Sequence, residues 1–514
     1  MNTVQKITKN VSVLFISQML SYVLGFFTLI YSARYLGVGG FGTLSLALAI
    51  TGIFSVCIDL GLNTLSIREI ARNKNLANDY IGNTIILRGI LSLITLVSVL
   101  LLSYFIGYNP ETIEVILIIT IYTIFNAFSQ MLYSLFQAFE KMEYQSIGIV
   151  SSNILLLAGI LLAIHYKTDL IQFAIVYVIT SIIILIYSLI ICYRKFLVPD
   201  VNFRSTKWKE LLKESWPFAI TGISINIYLW IDTLILSVMK GQEAVGFYNA
   251  SYKLILVLLF IPIVLNTALF PLMSKYYASS IKTLKISFEK LFKITMLIAI
   301  PIGIGTVLTA NKIILLFYGS QYLKSVIALQ ILIWSTVLIF ARNPFERLLA
   351  ASDKQITTTK IFLIGVIFNV TTNLIIIPHY SYIGAAIVII LTDILVLTLF
   401  ILSAGKFGYS LSKNSQISLV KAILASIIMG LFLIWLNKIN IFLLILIGFT
   451  IYVISLLILK ILDDDEILMI KSIFKKSYNI LRGCKLMGVE TDSMKNTKNF
   501  KFRVNHHLKP LKKY

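Results

Sequence analysis

Residues 11–62 read VSVLFISQMLSYVLGFFTLIYSARYLGVGGFGTLSLALAITGIFSVCIDLGL. Two apolar runs, 11–33 and 42–62, flank a short turn whose one charge is Arg34. Each run matches the roughly 20 residues that a helix needs to cross about 30 Å of hydrocarbon. A membrane barrel would need strands of only about 10 residues. Backbone groups in lipid must also be satisfied within their own segment, so runs of this length are read as helices. Lys6 and Lys9 precede the first run, which is too long for the apolar core of a signal peptide and has no Ala-x-Ala cleavage site. It is read as the first span.

Outward from this pair, similar stretches recur at 82–107, 112–137, 145–165, 170–193, 215–238, 246–271, 290–310, 325–343, 357–378, 382–403, 417–437 and 441–462. The 514 residues are 58% hydrophobic and 13% charged, with a mean hydropathy of +0.89. An ordinary soluble domain is about 25% charged and could not bury this much apolar surface. That excludes a soluble enzyme, a disordered chain and a secreted disulfide scaffold. The expected fold is an all-α polytopic membrane protein with about 14 transmembrane helices. Cys57, Cys192 and Cys484 stand apart, no CxxC occurs and only four His are present, so no disulfide framework, metal site or cofactor is expected.

The formal net charge is +22. Such an excess can mark nucleic-acid binding, or the retention of Lys and Arg on the cytoplasmic side of a membrane. With the N-terminus placed inside, 38 of the 45 Lys and Arg fall in cytoplasmic segments and adjoining helix ends, and 7 fall outside. The alternation predicts an even number of spans in the cell membrane with both termini cytoplasmic, and it explains most of the +22, so nucleic-acid binding is not needed to account for it. Beyond 462 the chain runs from Asp463-Asp464-Asp465-Glu466 into a basic tail. There, apolar residues at 467, 470, 474 and 481, with Lys471, Lys475 and Lys476 between, predict a helix on the inner leaflet.

The chain also carries an internal echo. Gly37 and Gly42 reappear as Gly241 and Gly246. Glu140-Lys141 reappears as Asp353-Lys354, His165-Tyr166 as His379-Tyr380, and Ala174-Ile175-Val176 with Thr180 as Ala386-Ile387-Val388 with Thr392. The offsets drift only from 204 to 214. This predicts a six-helix bundle over 1–200, its parallel repeat over 201–412, two added helices over 413–462 and a basic cytoplasmic tail over 463–514. Related halves of this kind can rock about a central site in transporters.

Gly37-Val38-Gly39-Gly40-Phe41-Gly42 matches G-x-G-x-x-G, but it joins two spans and lacks the βαβ unit of a dinucleotide site, so it reads as a tight turn. No phosphate-binding P-loop occurs. Charges inside spans are costly and mark function by default. Asp232 and Lys253 fall at similar depth in adjacent spans and are expected to pair or to flank a hydrated cavity. Asp393 lies near the middle of its span, Asp59 in the inner part of the second, and Arg34 at an outer helix end. Arg342, Glu346 and Arg347 cluster at an inner helix end, where a salt bridge at the membrane edge is an equal reading. These eight residues form the expected substrate path.

Tyr31-Ser32-Ala33-Arg34-Tyr35-Leu36-Gly37 running into Gly40-Phe41-Gly42 resembles the opening of prokaryotic polysaccharide transporters. Asp59-Leu60-Gly61-Leu62 with Arg68-Glu69 is similar to the end of their second span. Asn343-Pro344-Phe345-Glu346-Arg347, followed by Ala350 and Asp353-Lys354, is similar to their tenth. The resemblance covers the chain up to about 463. It implies two helical bundles around a central cleft and alternating access. It also implies translocation of a polyprenyl-linked oligosaccharide, with membrane lipid and glycan-assembly enzymes as further partners. An anionic linker would suit Arg34, Lys253 or Arg342. Two other functions compete: a cation-coupled multidrug antiporter of the same superfamily, and a membrane glycosyltransferase or polymerase. The second would usually need a large external loop or a catalytic carboxylate cluster, whereas the external connectors are all short and the acids on that side are only Glu111, Glu114, Asp169 and Glu243.

Overall fold

The apolar stretches become helices whose ends are set by local chemistry. In the computed structural model, which describes residues 3–197 and 205–461, these are α1 (Thr3–Asp59), α2 (Leu62–Arg72), α3 (Ala77–Ile106), α4 (Pro110–Ala138), α5 (Met142–His165), α6 (Leu170–Lys195), α7 (Ser205–Leu258), α8 (Phe260–Ser279), α9 (Ile281–Phe317), α10 (Ser325–Ala351), α11 (Gln355–Lys406), α12 (Lys413–Trp435) and α13 (Ile441–Ile458). No strand occurs among the described residues. The Asn109 side chain accepts from Thr112 N at 2.9 Å with Pro110 opening α4, and Asp169 accepts from Gln172 N at 2.7 Å to start α6. Both are side-chain caps for otherwise orphaned helix N–H groups. The inner-leaflet helix predicted from 467 to 482 lies outside the described residues.

Eleven of the helical segments are long and apolar enough to cross a membrane. Three helices are far longer than one crossing requires. Helix α1 has 57 residues, α7 has 54 and α11 has 52; at 1.5 Å per residue, 57 residues extend about 85 Å. Each of the three enters two of the apolar stretches, the second stretch of α7 continuing into α8, and is bent between them. The bends lie at Gly37 (φ 67°, ψ −178°), Gly241 (φ 78°, ψ −176°) and Ser381 (φ 52°, ψ −139°). The first two conformations are open essentially to glycine alone. The G-x-G-x-x-G stretch is thus a helix bend.

The echoed residues adopt echoed backbones. Glu140 and Asp353 have φ of 57° and 58°, and Lys167 and Ser381 have 53° and 52°. Lys141 N donates to Phe136 O, and Lys354 N to Leu349 O, both at 2.9 Å. These are the same helix-ending bond at positions 213 residues apart.

The residues up to Ser455 form one compact unit, and its core is divided unevenly. At the end holding the three bends, a single cluster draws on both sides of the chain midpoint, from Phe41, Ala47 and Phe173 to Tyr248, Ile314, Leu332 and Ala385. At the opposite end there are two separate clusters. One comprises Leu62 to Cys192 with Leu211, and the other runs from Met273 to Ala422. At the bend end the packing is close enough to demand glycine. A Cβ on Gly42 would come within 2.8 Å of the Gln242 carbonyl carbon and nearer its oxygen, and one on Gly246 within 3.0 Å of the Val38 carbonyl carbon. The two contacts exchange residues 204 positions apart.

Large apolar side chains such as Leu93, Ile375, Leu431 and Phe449 face outward with more than half their surface free. The polar residues Asn83, Arg88, Asp232 and Asp393 are buried. This reversal of the soluble pattern is what a bilayer requires. The described part of α12 and α13 lies beside α9: Gly430 meets Ile304, and Tyr452 Oη donates to Leu297 O at 2.7 Å.

Candidate functional site: buried charges and the cavities beside them

One buried ion pair joins α10 and α11. Arg342 Nη1 lies 3.0 Å from Asp393 Oδ1, with side-chain exposures of 10% and 1%. Tyr228 Oη of α7 donates to the same carboxylate oxygen at 2.6 Å, and Ser335 Oγ donates to the other. The Arg342 guanidinium also lies 5.6 Å and 5.2 Å from the ring centres of Tyr228 and Phe362. Every oxygen of Asp393 is engaged, as a buried carboxylate requires.

One turn along α7, Asp232 is 1% exposed. Its carboxylate accepts from Tyr248 Oη at 3.3 Å and from Asn373 Nδ2, and Asn373 in turn donates to Asn369 Oδ1 at 3.0 Å. The expected partner, Lys253, is elsewhere. Its ammonium donates to Ser45 Oγ at 3.1 Å and lies 4.9 Å from the Phe41 ring centre. Among the described residues no carboxylate is within ion-pair distance of Lys253. Asp232 is nine residues before the bend at Gly241 and Lys253 is twelve after it, about 14 and 18 Å along their arms. The shared depth expected from the sequence is roughly right. The pairing fails because Asp232 faces α11 while Lys253 faces α1.

Lys253 borders a cavity of about 280 Å³ between the two arms of α1, Tyr177 of α6 and the second arm of α7. The walls are mainly apolar and aromatic, with Tyr22, Phe26 and Phe41, plus the hydroxyls of Ser21, Thr28 and Ser32.

The third charged place is at the end of α1. Asp59 Oδ1 accepts from Arg88 Nη2 at 2.5 Å and from Asn63 N at 3.2 Å. Arg88 is wholly buried, while the Asp59 side chain is 30% exposed. Arg88 also donates to Ala127 O at 2.6 Å and to Asn63 Oδ1 at 3.2 Å. Asp59 borders a second cavity, of about 300 Å³, with Asn63, Asn126, Gln130, Phe218 and Asn226.

The remaining expected residues make local contacts of their own. Arg34 is exposed, and its guanidinium donates to the carbonyls of Leu316 and Phe317 in the last turn of α9, where a helix end favours a cation. Glu346 and Arg347 pair with each other at 3.2 Å at the end of α10. Of the eight, the structure therefore pairs Arg342 with Asp393 across two helices and Glu346 with its sequence neighbour Arg347. Arg88, six residues into its apolar stretch, cannot be told by sequence from the charges of the inner side. Tyr228, Ser335, Asn369 and Asn373 carry no charge, so the cost of a charge in hydrocarbon does not single them out; their only sequence signal is a polar side chain within an apolar stretch.

Comparison with known proteins agrees with this architecture. The family model described as "Polysaccharide biosynthesis protein" matches residues 7–277, and a second model, MatE, matches residues 217–375. The chain is 25% identical over 412 residues to a Shigella dysenteriae protein whose name proposes an O-antigen transporter, covering 77% of this chain and all of that one. It is 25% identical over 400 residues to the capsular polysaccharide biosynthesis protein CapF of Staphylococcus aureus, covering 76% and 97%. Among solved structures it is similar to the lipid II flippase MurJ in an inward closed conformation. That match has a TM-score of 0.71 at 19% identity and covers 86% of this chain and 97% of that one.

Proposed function

Because the chain belongs to the family of polysaccharide biosynthesis proteins, we propose that this multi-pass membrane protein moves a lipid-linked oligosaccharide from the inner to the outer leaflet of the cell membrane. It acts as a transporter and not as an enzyme. The observation that carries the reading is Lys253, a half-buried cation with no acidic partner among the described residues, at the edge of a cavity with apolar and aromatic walls. A phosphate or pyrophosphate linker supplies the missing anion, and the apolar walls suit the lipid beside it. Unaided passage would strand the glycan's hydroxyls in hydrocarbon.

In this reading 1–200 and 201–412 are the two bundles, each of the three bent helices crosses twice to give fourteen crossings, and 413–462 and 463–514 are additions. Both termini are cytoplasmic and the bend end is external. The paired backbone angles, the exchanged glycine contacts and the shared core at one end against two cores at the other support the two repeated bundles, and the distribution of Lys and Arg supports the orientation. Enzymes of glycan assembly are the expected functional partners.

The test is leaflet exchange of a labelled polyprenyl-linked oligosaccharide by the reconstituted full chain. Wild type should exceed empty liposomes, Lys253→Ala should be slow, and Lys253→Arg should retain rate. Exchange no faster than in empty liposomes refutes the reading. The MatE match to 217–375 favours one alternative, a cation-coupled drug antiporter. Drug movement lost in Asp393→Asn, without glycan-lipid movement, would establish it.

A further inference from the structure

The cavity at Asp59 has a chemistry different from that at Lys253. Its six informative neighbours are one carboxylate, four side-chain amides and one aromatic ring: Asp59, Asn63, Asn126, Gln130, Asn226 and Phe218. All are partly exposed, and they come from α1, the start of α2, α4 and the first arm of α7, at the end where the two cores part.

The hydrogen-bond inventory leaves this wall open. Asp59 uses Oδ1 for Arg88 and Asn63, and Oδ2 has no partner among the described residues. Asn226 spends one amide hydrogen on Gly222 O at 3.0 Å, and its side-chain carbonyl oxygen has no partner among the described residues. Gln130 and Asn126 are joined by a single long bond of 3.4 Å. The cavity thus offers several acceptors and amide donors at once. A sugar ring presents hydroxyls that each donate and accept, and an apolar C–H face that an aromatic ring covers. At about 300 Å³ the space lies at the lower end of ligand pockets, the size of a small part of a glycan.

The charge balance narrows the ligand further. Arg88 is wholly buried behind Asp59, its Nη groups donate to Asp59, Asn63 and Ala127 O, and it is not among the residues that line the cavity. Arg68, behind Phe218 at 5.7 Å, is paired with Glu69 and Glu214. The charge that faces the cavity is therefore the Asp59 carboxylate. A carboxylate on the ligand would meet a like charge at close range in a confined space.

We propose that this cavity is a sugar subsite, which takes a neutral or amino-sugar ring of the glycan head and excludes an acidic one. The proposal rests on the flippase reading above and adds to it the class of sugar and the residues that select it.

The experiment compares leaflet exchange of two polyprenyl-diphosphate disaccharides by the reconstituted full chain, one neutral and one with a uronic acid. Wild type should move the neutral substrate about tenfold faster, the worth of one hydrogen bond to a charged group. Asn226→Ala and Gln130→Ala, which leave the Asp59–Arg88 pair intact, should slow the neutral substrate severalfold and leave the acidic one unchanged. Asp59→Asn should bring the two rates together by raising the acidic one. Equal wild-type rates overturn the subsite while the flippase reading stands. So does a preference for the neutral substrate that both amide variants retain. Movement of neither substrate overturns the flippase reading, and the subsite with it.

Discussion

The glycine contacts at the bend end make a quantitative prediction. Gly42 and Gly246 let the second arms of α1 and α7 touch backbone to backbone, and Gly42→Ala places a methyl where ordinary contact is violated by more than half an ångström. The added carbon would be 2.8 Å from the Gln242 carbonyl carbon and nearer its oxygen, against the 3.4–4 Å of normal van der Waals contact. The neighbour is backbone of a packed helix, so it cannot swing aside as a flexible side chain would. Overpacking of this kind costs about 1–3 kcal/mol, and the cost falls only on the state in which the two arms touch. The equilibrium should therefore move toward the state open at this end by about 5- to 150-fold. From an initial open population of about 1%, that gives roughly 5 to 60%. The assay is labelling of a cysteine at Ala250, wholly buried one turn past Gly246, in a variant without Cys57, Cys192 and Cys484. Gly42→Ala should raise the rate of reaction with a hydrophilic maleimide by at least fivefold. Gly39→Ala is the control on the same turn, because a Cβ there has nothing within 4 Å, and it should label like the parent. If Gly42→Ala melts at the parent temperature and labels at the parent rate, the two arms do not close this end of the protein.

Further predictions concern the ion pairs. Arg342→Met leaves the enclosed Asp393 without its cation and should lower stability by about 3–5 kcal/mol, read as a fall in Tm in detergent; adding Asp393→Leu should recover most of it. Tyr228→Phe removes one donor from that carboxylate and should cost about 1–3 kcal/mol by the same measurement. Arg88→Met should cost less than Arg342→Met, because Asp59 is 30% exposed and can take water where Asp393, at 1%, cannot. Equal Tm losses for Arg88→Met and Arg342→Met would contradict this ordering.

The helical membrane fold was legible because hydropathy reports a solvent, and this solvent imposes one structure per crossing. What the sequence blurred was the connections. Gly37 and Gly241 were read as turns, yet the chain stays helical on both sides of a single left-handed glycine, so 57 and 54 residues run on as bent helices. Spacing alone cannot separate a loop from a one-residue bend. Ser381 was less legible still, because a serine at φ 52° carries no glycine to announce it. Only its position after His379-Tyr380, matching Lys167 after His165-Tyr166, points there.

The candidate site was legible as a set of residues and not as a set of pairs. A charge in an apolar stretch reveals that a partner exists, because leaving it alone is too costly, but helical sequence does not say which neighbour the side chain faces. Asp232 and Lys253 share a depth and belong to adjacent arms, so they looked like a pair. The amides of Asn369 and Asn373, one turn apart on α11, supply what Asp232 needs without a cation. That substitution has a consequence for Lys253. A protein that satisfied Asp232 with Lys253 would have had no cation left facing the cavity beside α1. Because an amide does the structural work for the aspartate, the ammonium stays uncommitted except for Ser45 and the face of Phe41, and it remains able to meet an anion that arrives from outside the chain.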